Sequence, residues 1–139
     1  MGLRHRVQKI MRAMDLEPSP PQSKMRVETK TADYTCLDRD SGTLFVAGTN
    51  DVTFTLPAVS ITGWHAWFCN VTDNEMLILA PAAGTIIAFN DLAANSVSYT
   101  TAGDQIGGSF SVVSTGTNWL VMPLHYGDGV LVQTIGIVT

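Results

Sequence analysis

Val52-Thr53-Phe54-Thr55-Leu56-Pro57 alternates apolar side chains with threonine and stops at proline. Successive residues of a strand point to opposite faces, so this alternation describes a half-buried strand. Proline, which has no N–H to give to a ladder, ends it. The same period-two reading places further strands at 43–47, 64–71, 76–80, 85–89, 96–100, 109–114, 119–123 and 130–138. The segments between them, such as Gly48-Thr49-Asn50-Asp51, Thr72-Asp73-Asn74, Pro81-Ala82-Ala83-Gly84, Asn90-Asp91 and Thr115-Gly116-Thr117-Asn118, supply the residues that chain reversals favour. Eight or nine short strands at near-regular spacing predict an all-β, β-sandwich or jelly-roll-like body over residues 33–139, with no helix in it.

Charge divides the chain in two. All eight Lys and Arg residues lie at or before Arg39, so residues 1–39 carry +3 and residues 40–139 carry −7, which makes the −4 of the whole. A body with few charges, all of one sign, is expected to keep much of its surface against another protein. An apolar content of 45% with 14% charged residues fits a β-rich globular unit and argues against a disordered chain. No run approaches the roughly 18–20 apolar residues that span a bilayer. The first apolar residues are spaced among cations and form no signal-peptide core, so first assembly is expected in a cytoplasm. Cys36 and Cys69 are too few and too isolated for a disulfide scaffold or zinc site, and read as free buried thiols.

Residues 1–17 form the expected anchor. Leu3, Val7, Ile10, Met11 and Met14 share one helical face, while Arg4, Arg6, Lys9 and Arg12 occupy the rest of the circumference. Pro18, Pro20 and Pro21 end that helix. Arg4 and Arg6 sit at its positive end and Asp15 and Glu17 at its negative end, so its dipole is uncompensated and the helix needs a partner over its stripe. Docking onto a large protein assembly suits it best. Nucleic-acid binding is disfavoured by the absence of interleaved aromatic residues, and membrane binding by the absence of Trp or Phe on the apolar face. Residues 18–32 read as a Pro-rich extended linker, long enough to reach a neighbouring subunit.

The order Thr55-Leu56-Pro57, then Gly63 leading to Trp67-Phe68-Cys69-Asn70, then Ile78-Leu79-Ala80-Pro81-Ala82-Ala83-Gly84-Thr85-Ile86, then Gly116-Thr117-Asn118-Trp119-Leu120-Val121 resembles a β-module of tailed-bacteriophage structural proteins. These include tail fibres, tailspike parts and head-decoration or head-fibre proteins. The resemblance covers roughly residues 33–125. It implies that Leu56-Pro57 ends a strand, that Pro81 to Gly84 make a turn, and that Gly116 to Trp119 start a late strand with a packed Trp. It also implies a homotrimer. The basic arm departs from the family pattern, and only a short segment follows the module. That brevity favours a capsid decoration or cement protein on the outer head surface of a virion, docked on the major capsid protein, over a tail fibre or tailspike component. The segment 130–138 is nearly free of polar side chains, so it is expected to be paired with another subunit, which makes Val130, Val132, Ile135 and Ile137 candidate subunit-interface residues, or else to be buried within the monomer.

Catalysis finds little support. Asp73 and Glu75 can mimic a paired carboxylate site, but solvated turn acids are the simpler reading. His65 and His125 have no nucleophile or metal-ligand cluster beside them in sequence, and no catalytic residue, cofactor or metal is assigned; Asp104 and Asp128 sit in Gly-flanked turns without the many ligands of a calcium loop. The rival reading is a carbohydrate-binding β-sandwich, in which Trp64, Trp67, Tyr99, Trp119 and Tyr126 would offer flat rings. Tyr126 is the best exposed sugar-contact candidate and Trp119 the safest core residue.

Overall fold

The computed structural model describes Arg6, residues 24–124 and the backbone of the strand Ile135–Val138. The amphipathic segment 1–17, Arg6 excepted, therefore lies outside the described residues, as do Val130, Val132, Tyr126, His125 and Asp128. The body is an all-β sandwich of two sheets. Twelve strands follow in chain order: β1 (Arg26–Lys30), β2 (Tyr34–Thr35), β3 (Thr43–Ala47), β4 (Val52–Thr55), β5 (His65–Asn70), β6 (Met76–Leu79), β7 (Ile86–Ala88), β8 (Asp91–Ala94), β9 (Ser96–Tyr99), β10 (Ser109–Ser114), β11 (Trp119–Pro123) and β12 (Ile135–Val138). One sheet has the order β1-β3-β5-β10-β11-β7-β8, the other β12-β9-β6-β4-β2.

The connectivity is wound, unlike the antiparallel Greek keys of a jelly roll. The first six strands alternate between the sheets, and within each sheet they run parallel: β1 with β3 and β3 with β5, β2 with β4 and β4 with β6. Each circuit of the chain thus adds one strand to each sheet, and side chains at matching positions stack from coil to coil. Phe45 lies in register with Phe68, and Phe54 with Ile78. The strands β9 and β10 then run back antiparallel on β6 and β5 and close the third coil.

The turns carry a matching ladder. Asp33, Asp51 and Asp73 follow β1, β3 and β5, and each carboxylate accepts a backbone N–H from a later turn or strand. Asp33 accepts from Thr53 at 2.9 Å, Asp51 from Glu75 at 2.9 Å, and Asp73 from Gly103 at 2.8 Å and Gln105 at 3.3 Å. Asp73 is therefore a loop clamp, and the paired-carboxylate alternative for Asp73 and Glu75 gives way to a structural role.

Alternation explains the core. Phe45, Phe54, Phe68 and Phe110 are fully buried between the sheets, as are Trp64, Ile78, Ile86, Val97 and Trp119. Phe45 packs on Tyr34, Phe54 and Phe68 with ring centroids 5.4–5.5 Å apart. Trp64 and Trp119 meet edge to face at 5.4 Å. Trp64 donates its indole N–H to the Leu37 and Asp38 carbonyls, whereas the buried Trp119 N–H has no partner among the described residues.

Three local readings change. Arg26–Lys30 form an edge strand inside the stretch read as linker, because their period-two pattern places charges, not apolar residues, on the inward side. A single 3-10 turn, Asp38–Asp40, interrupts the body. The hairpin between β7 and β8 turns at Phe89-Asn90, one residue before the expected Asn90-Asp91; both adopt left-handed φ, 48° and 69°, and the Phe89 ring stands edge-on to Phe110. Such a two-residue turn suits a hairpin, although an aromatic residue there is strained.

The first coil ends in a polar lid. Inward-pointing charges on an edge strand block its pairing with another sheet, and β1 carries three, Arg26, Glu28 and Lys30. Lys30 Nζ lies 3.3 Å from Glu28 and 3.9 Å from the centre of the Tyr34 ring. Beneath them the buried Asp40 carboxylate accepts the Tyr34 hydroxyl at 2.7 Å and the Leu37 N–H at 2.8 Å, with Arg26 at 3.9 Å. Burial, followed by the Asp40 hydrogen bond, raises the Tyr34 phenol to about 12.

Cys36 is buried beside this lid, and burial followed by the Asp40 charge raises its thiol to about 12 from an ordinary 9.0, with Lys30 opposing. The sign follows from the favoured form. The fold holds Cys36 neutral, so its contribution is complete below pH 9, where the unfolded thiol is also neutral, and is lost progressively as pH climbs from 9 to 12. We expect wild-type stability to fall over that window, by up to about 1.4 kcal/mol per pH unit from this group. Urea titrations at successive pH values check this: Cys36→Ala should show a shallower alkaline decline, leaving the Tyr34 contribution above pH 10.

Candidate functional site

The outer face of the seven-stranded sheet is the surface with the most unusual chemistry. A sandwich sheet normally turns polar side chains to water, yet β3, β7 and β11 are apolar on their outer side, and β5 and β10 add Trp67, Cys69 and Val113 beside the uncharged His65, Ser109 and Ser111. Strand register arranges the outward side chains in rows across the sheet. Val27, Leu44, Trp67, Ser111 and Met122 form the central row. His65, Val113, Leu120 and Ile87 flank it on one side, and Thr29, Val46, Cys69 and Ser109 on the other. These positions hold no Asp, Glu, Lys or Arg. Val27 is 58% exposed and Met122 44%, with Met25 and Leu124 also exposed at its ends. Leu44, Val46, Trp67, Val113 and Leu120 are half-buried.

The described acids of the body lie elsewhere. Asp33, Asp51, Asp73 and Asp104 occupy turns, Asp91 starts the edge strand β8, and Asp40 is buried. Of the described cations, Arg26, Lys30 and Arg39 gather at the lid, where Arg26 also donates to the Arg39 carbonyl at 2.7 Å. The face is therefore an uncharged window in an acidic body. Its signal was present in the sequence as unbroken apolar runs, Leu44-Phe45-Val46, Ile86-Ile87 and Trp119-Leu120-Val121-Met122, where a half-exposed strand would alternate.

The aromatic residues do not form a sugar platform together. Trp64, Tyr99 and Trp119 are core residues, with Tyr99 stacked on Phe110 at 4.9 Å. Trp67 alone of the described candidates lies on the outer face, edge-on to His65 at 5.4 Å. Of the interface candidates, Ile135 and Ile137 lie in β12, whose backbone pairs with β9 of the same chain, opposite Tyr99 and Val97. That strand forms one edge of the five-stranded sheet.

A Ser–His contact exists, and its geometry is not that of a nucleophile and its base. Ser41 Oγ lies 3.5 Å from His65 Nδ1, but the same nitrogen is 3.0 Å from the Gly63 carbonyl. A carbonyl can only accept, so Nδ1 carries the proton in that contact and cannot take one from Ser41. Ser41 Oγ also accepts the His65 backbone N–H at 3.2 Å. Both cysteines are free; Cys69 is half-buried on the outer face, and burial raises its thiol. Among the described residues no group of three His, Cys, Asp or Glu side chains is placed to hold a metal, and no helix is long and apolar enough to cross a membrane.

Comparison with known proteins matches the chain to no protein-family model and to no curated protein.

Proposed function

We propose that the protein is a non-enzymatic virion structural subunit: a capsid decoration protein whose β body self-associates and whose N-terminal arm docks on the major capsid protein of a phage head. The observation that carries the assembly role is the uncharged apolar outer face on a folded body that has no side-chain cation after Arg39. Such a face is costly to leave in water and suited to protein contact. The division of labour follows from charge. The arm holds Arg4, Arg6, Lys9 and Arg12 around the stripe Leu3, Val7, Ile10, Met11 and Met14, while the acidic body offers no comparable attachment for acidic capsid groups.

The head position draws on the resemblance of the Thr55-Leu56-Pro57, Pro81 to Gly84 and Gly116 to Trp119 segments to phage structural modules, which also implies three copies per assembly. Core burial of Trp64, Tyr99 and Trp119 favours assembly over the carbohydrate-binding alternative. The test is occupancy on heads built from the capsid protein encoded by the same genome. Wild-type protein is expected to co-sediment with them. Ile10→Asp, which puts a charge into the stripe, is expected to lower affinity at least tenfold, because burying one such side chain is worth about 1.5–3 kcal/mol. Unchanged occupancy would overturn arm docking.

A further inference from the structure

We infer that the outer face of the seven-stranded sheet is the self-association surface, covered in the assembled protein by a second copy of this chain. This rests on the assembly reading above and adds to it the surface and its occupant.

Charge selects the occupant. The body after Arg39 is purely acidic, so two copies repel wherever their turn acids approach. The rows centred on Trp67 and Ser111 hold no acids, so two copies meeting there bring no like charges together; the outward positions of β4, β6 and β9 are also uncharged, but they offer mainly Thr and Ser around Leu77 and Leu79 and no aromatic ring. The same absence makes the face a poor match for a charged partner, which would leave its own groups desolvated and unpaired.

Size agrees. The face spans six strands about 4.8 Å apart, each near five residues long at about 3.3 Å per residue, an area on the order of 500 Å². With a polar rim it becomes the core of a standard interface, about 800 Å² per partner. Composition fits as well, since Trp67 and Met122 are residue types enriched at interface cores, and Trp67 occupies the central row.

Edge pairing offers a weaker route on the β1 side. Arg26, Glu28 and Lys30 project inward there, paired with one another and with Asp40, and an added strand would strip water from these charges. The face, by contrast, accepts a second copy without breaking any hydrogen bond. Copies can apply this face to each other in a two-fold pair, or to a different surface of the next copy in a ring.

The experiment is the solution mass of the full-length protein at micromolar concentrations, by light scattering after gel filtration, for wild type and Met122→Glu. Met122 is 44% exposed, so a charge there is compatible with the fold, which melting and buried-tryptophan fluorescence verify. Should the variant melt early, Val27→Glu, at 58% exposure on the edge strand, gives the same readout. The expected result is a multimer for wild type and a dissociation constant raised at least about tenfold in the variant, since the new carboxylate would be buried unpaired in an apolar contact. A wild type that stays monomeric overturns the inference, and so does a folded variant with unchanged mass. Head binding is scored separately: a monomeric Met122→Glu protein that still co-sediments with heads upholds the face and shows that docking is independent of it. Dissociation by Met122→Glu together with no head binding by wild type upholds the face and overturns the capsid role.

Discussion

Phe45→Ala is expected to lower the unfolding free energy by about 4 kcal/mol. A buried Phe→Ala change costs about 3–5 kcal/mol, combining the transfer free energy of the ring with the cavity left behind. Phe45 belongs at the upper part of that range because three rings, Tyr34, Phe54 and Phe68, rest on it from both sheets. Removing it opens the space between the first and second coils, where strand hydrogen bonds hold the surrounding backbone and limit collapse. Domains of this size have about 5–15 kcal/mol in all, so the variant should stay mostly folded in water but unfold at a much lower urea concentration. Urea denaturation followed by tryptophan fluorescence measures the loss. A change below about 1.5 kcal/mol would mean that the four rings do not form one packed unit.

The second large effect is expected at the lid. Asp40→Ala should cost about 3 kcal/mol, although it deletes only the carboxylate, because Tyr34 Oη and the Leu37 N–H lose a charged acceptor inside the fold. Hydrogen bonds to charged groups contribute about 1.5–3 kcal/mol, and stranded donors add their desolvation. Arg26, 3.9 Å from the carboxylate, also loses its counter-charge. Asp40→Asn keeps an acceptor oxygen and should cost roughly half as much. A spectroscopic signature separates lid loss from general loosening. Burial is the largest cause of the raised Tyr34 phenol, and Asp40 adds to it by hydrogen bond and by charge, so in folded Asp40→Ala one tyrosine should titrate lower than in the wild type while burial still holds it above the ordinary phenol. An unchanged ultraviolet titration curve would show that Asp40 does not govern Tyr34.

Much of the architecture was readable because alternation is a local property. Thr43–Ala47, Ser109–Ser114 and Trp119–Pro123 have the bounds that their patterns predict, and Thr-Leu-Pro at 55–57 does end a strand. The pairing of strands was not readable, since period two says which side chains point inward and nothing about which strand lies alongside. The winding left one trace, a Thr-x-Asp at Asp33 and Asp51 and a Thr-Asp at Asp73. Its uneven spacing, from 33 to 51 and from 51 to 73, hides the repeat. β1 was lost to its charges, which look like linker and serve as a lid. The apolar runs at 44–46 and 119–122 hinted at the candidate face, but its extent needed the register, which lines up Leu44, Trp67, Ser111 and Met122, far apart in sequence, across four strands.

The coil-by-coil winding has a consequence for how such a chain can change length. Each circuit contributes one strand per sheet, one stacked layer of core and one clamping aspartate, and its contacts are mainly with the circuits before and after it. Stability in that arrangement is close to a sum over neighbouring layers. A duplicated circuit inserted between the first and second would inherit a ring to stack on and an aspartate to hold its turn, while the lid and the closing antiparallel strands stay at the two ends. The sandwich is thus a short rod with finished ends, and its outer face would lengthen in step with the number of circuits.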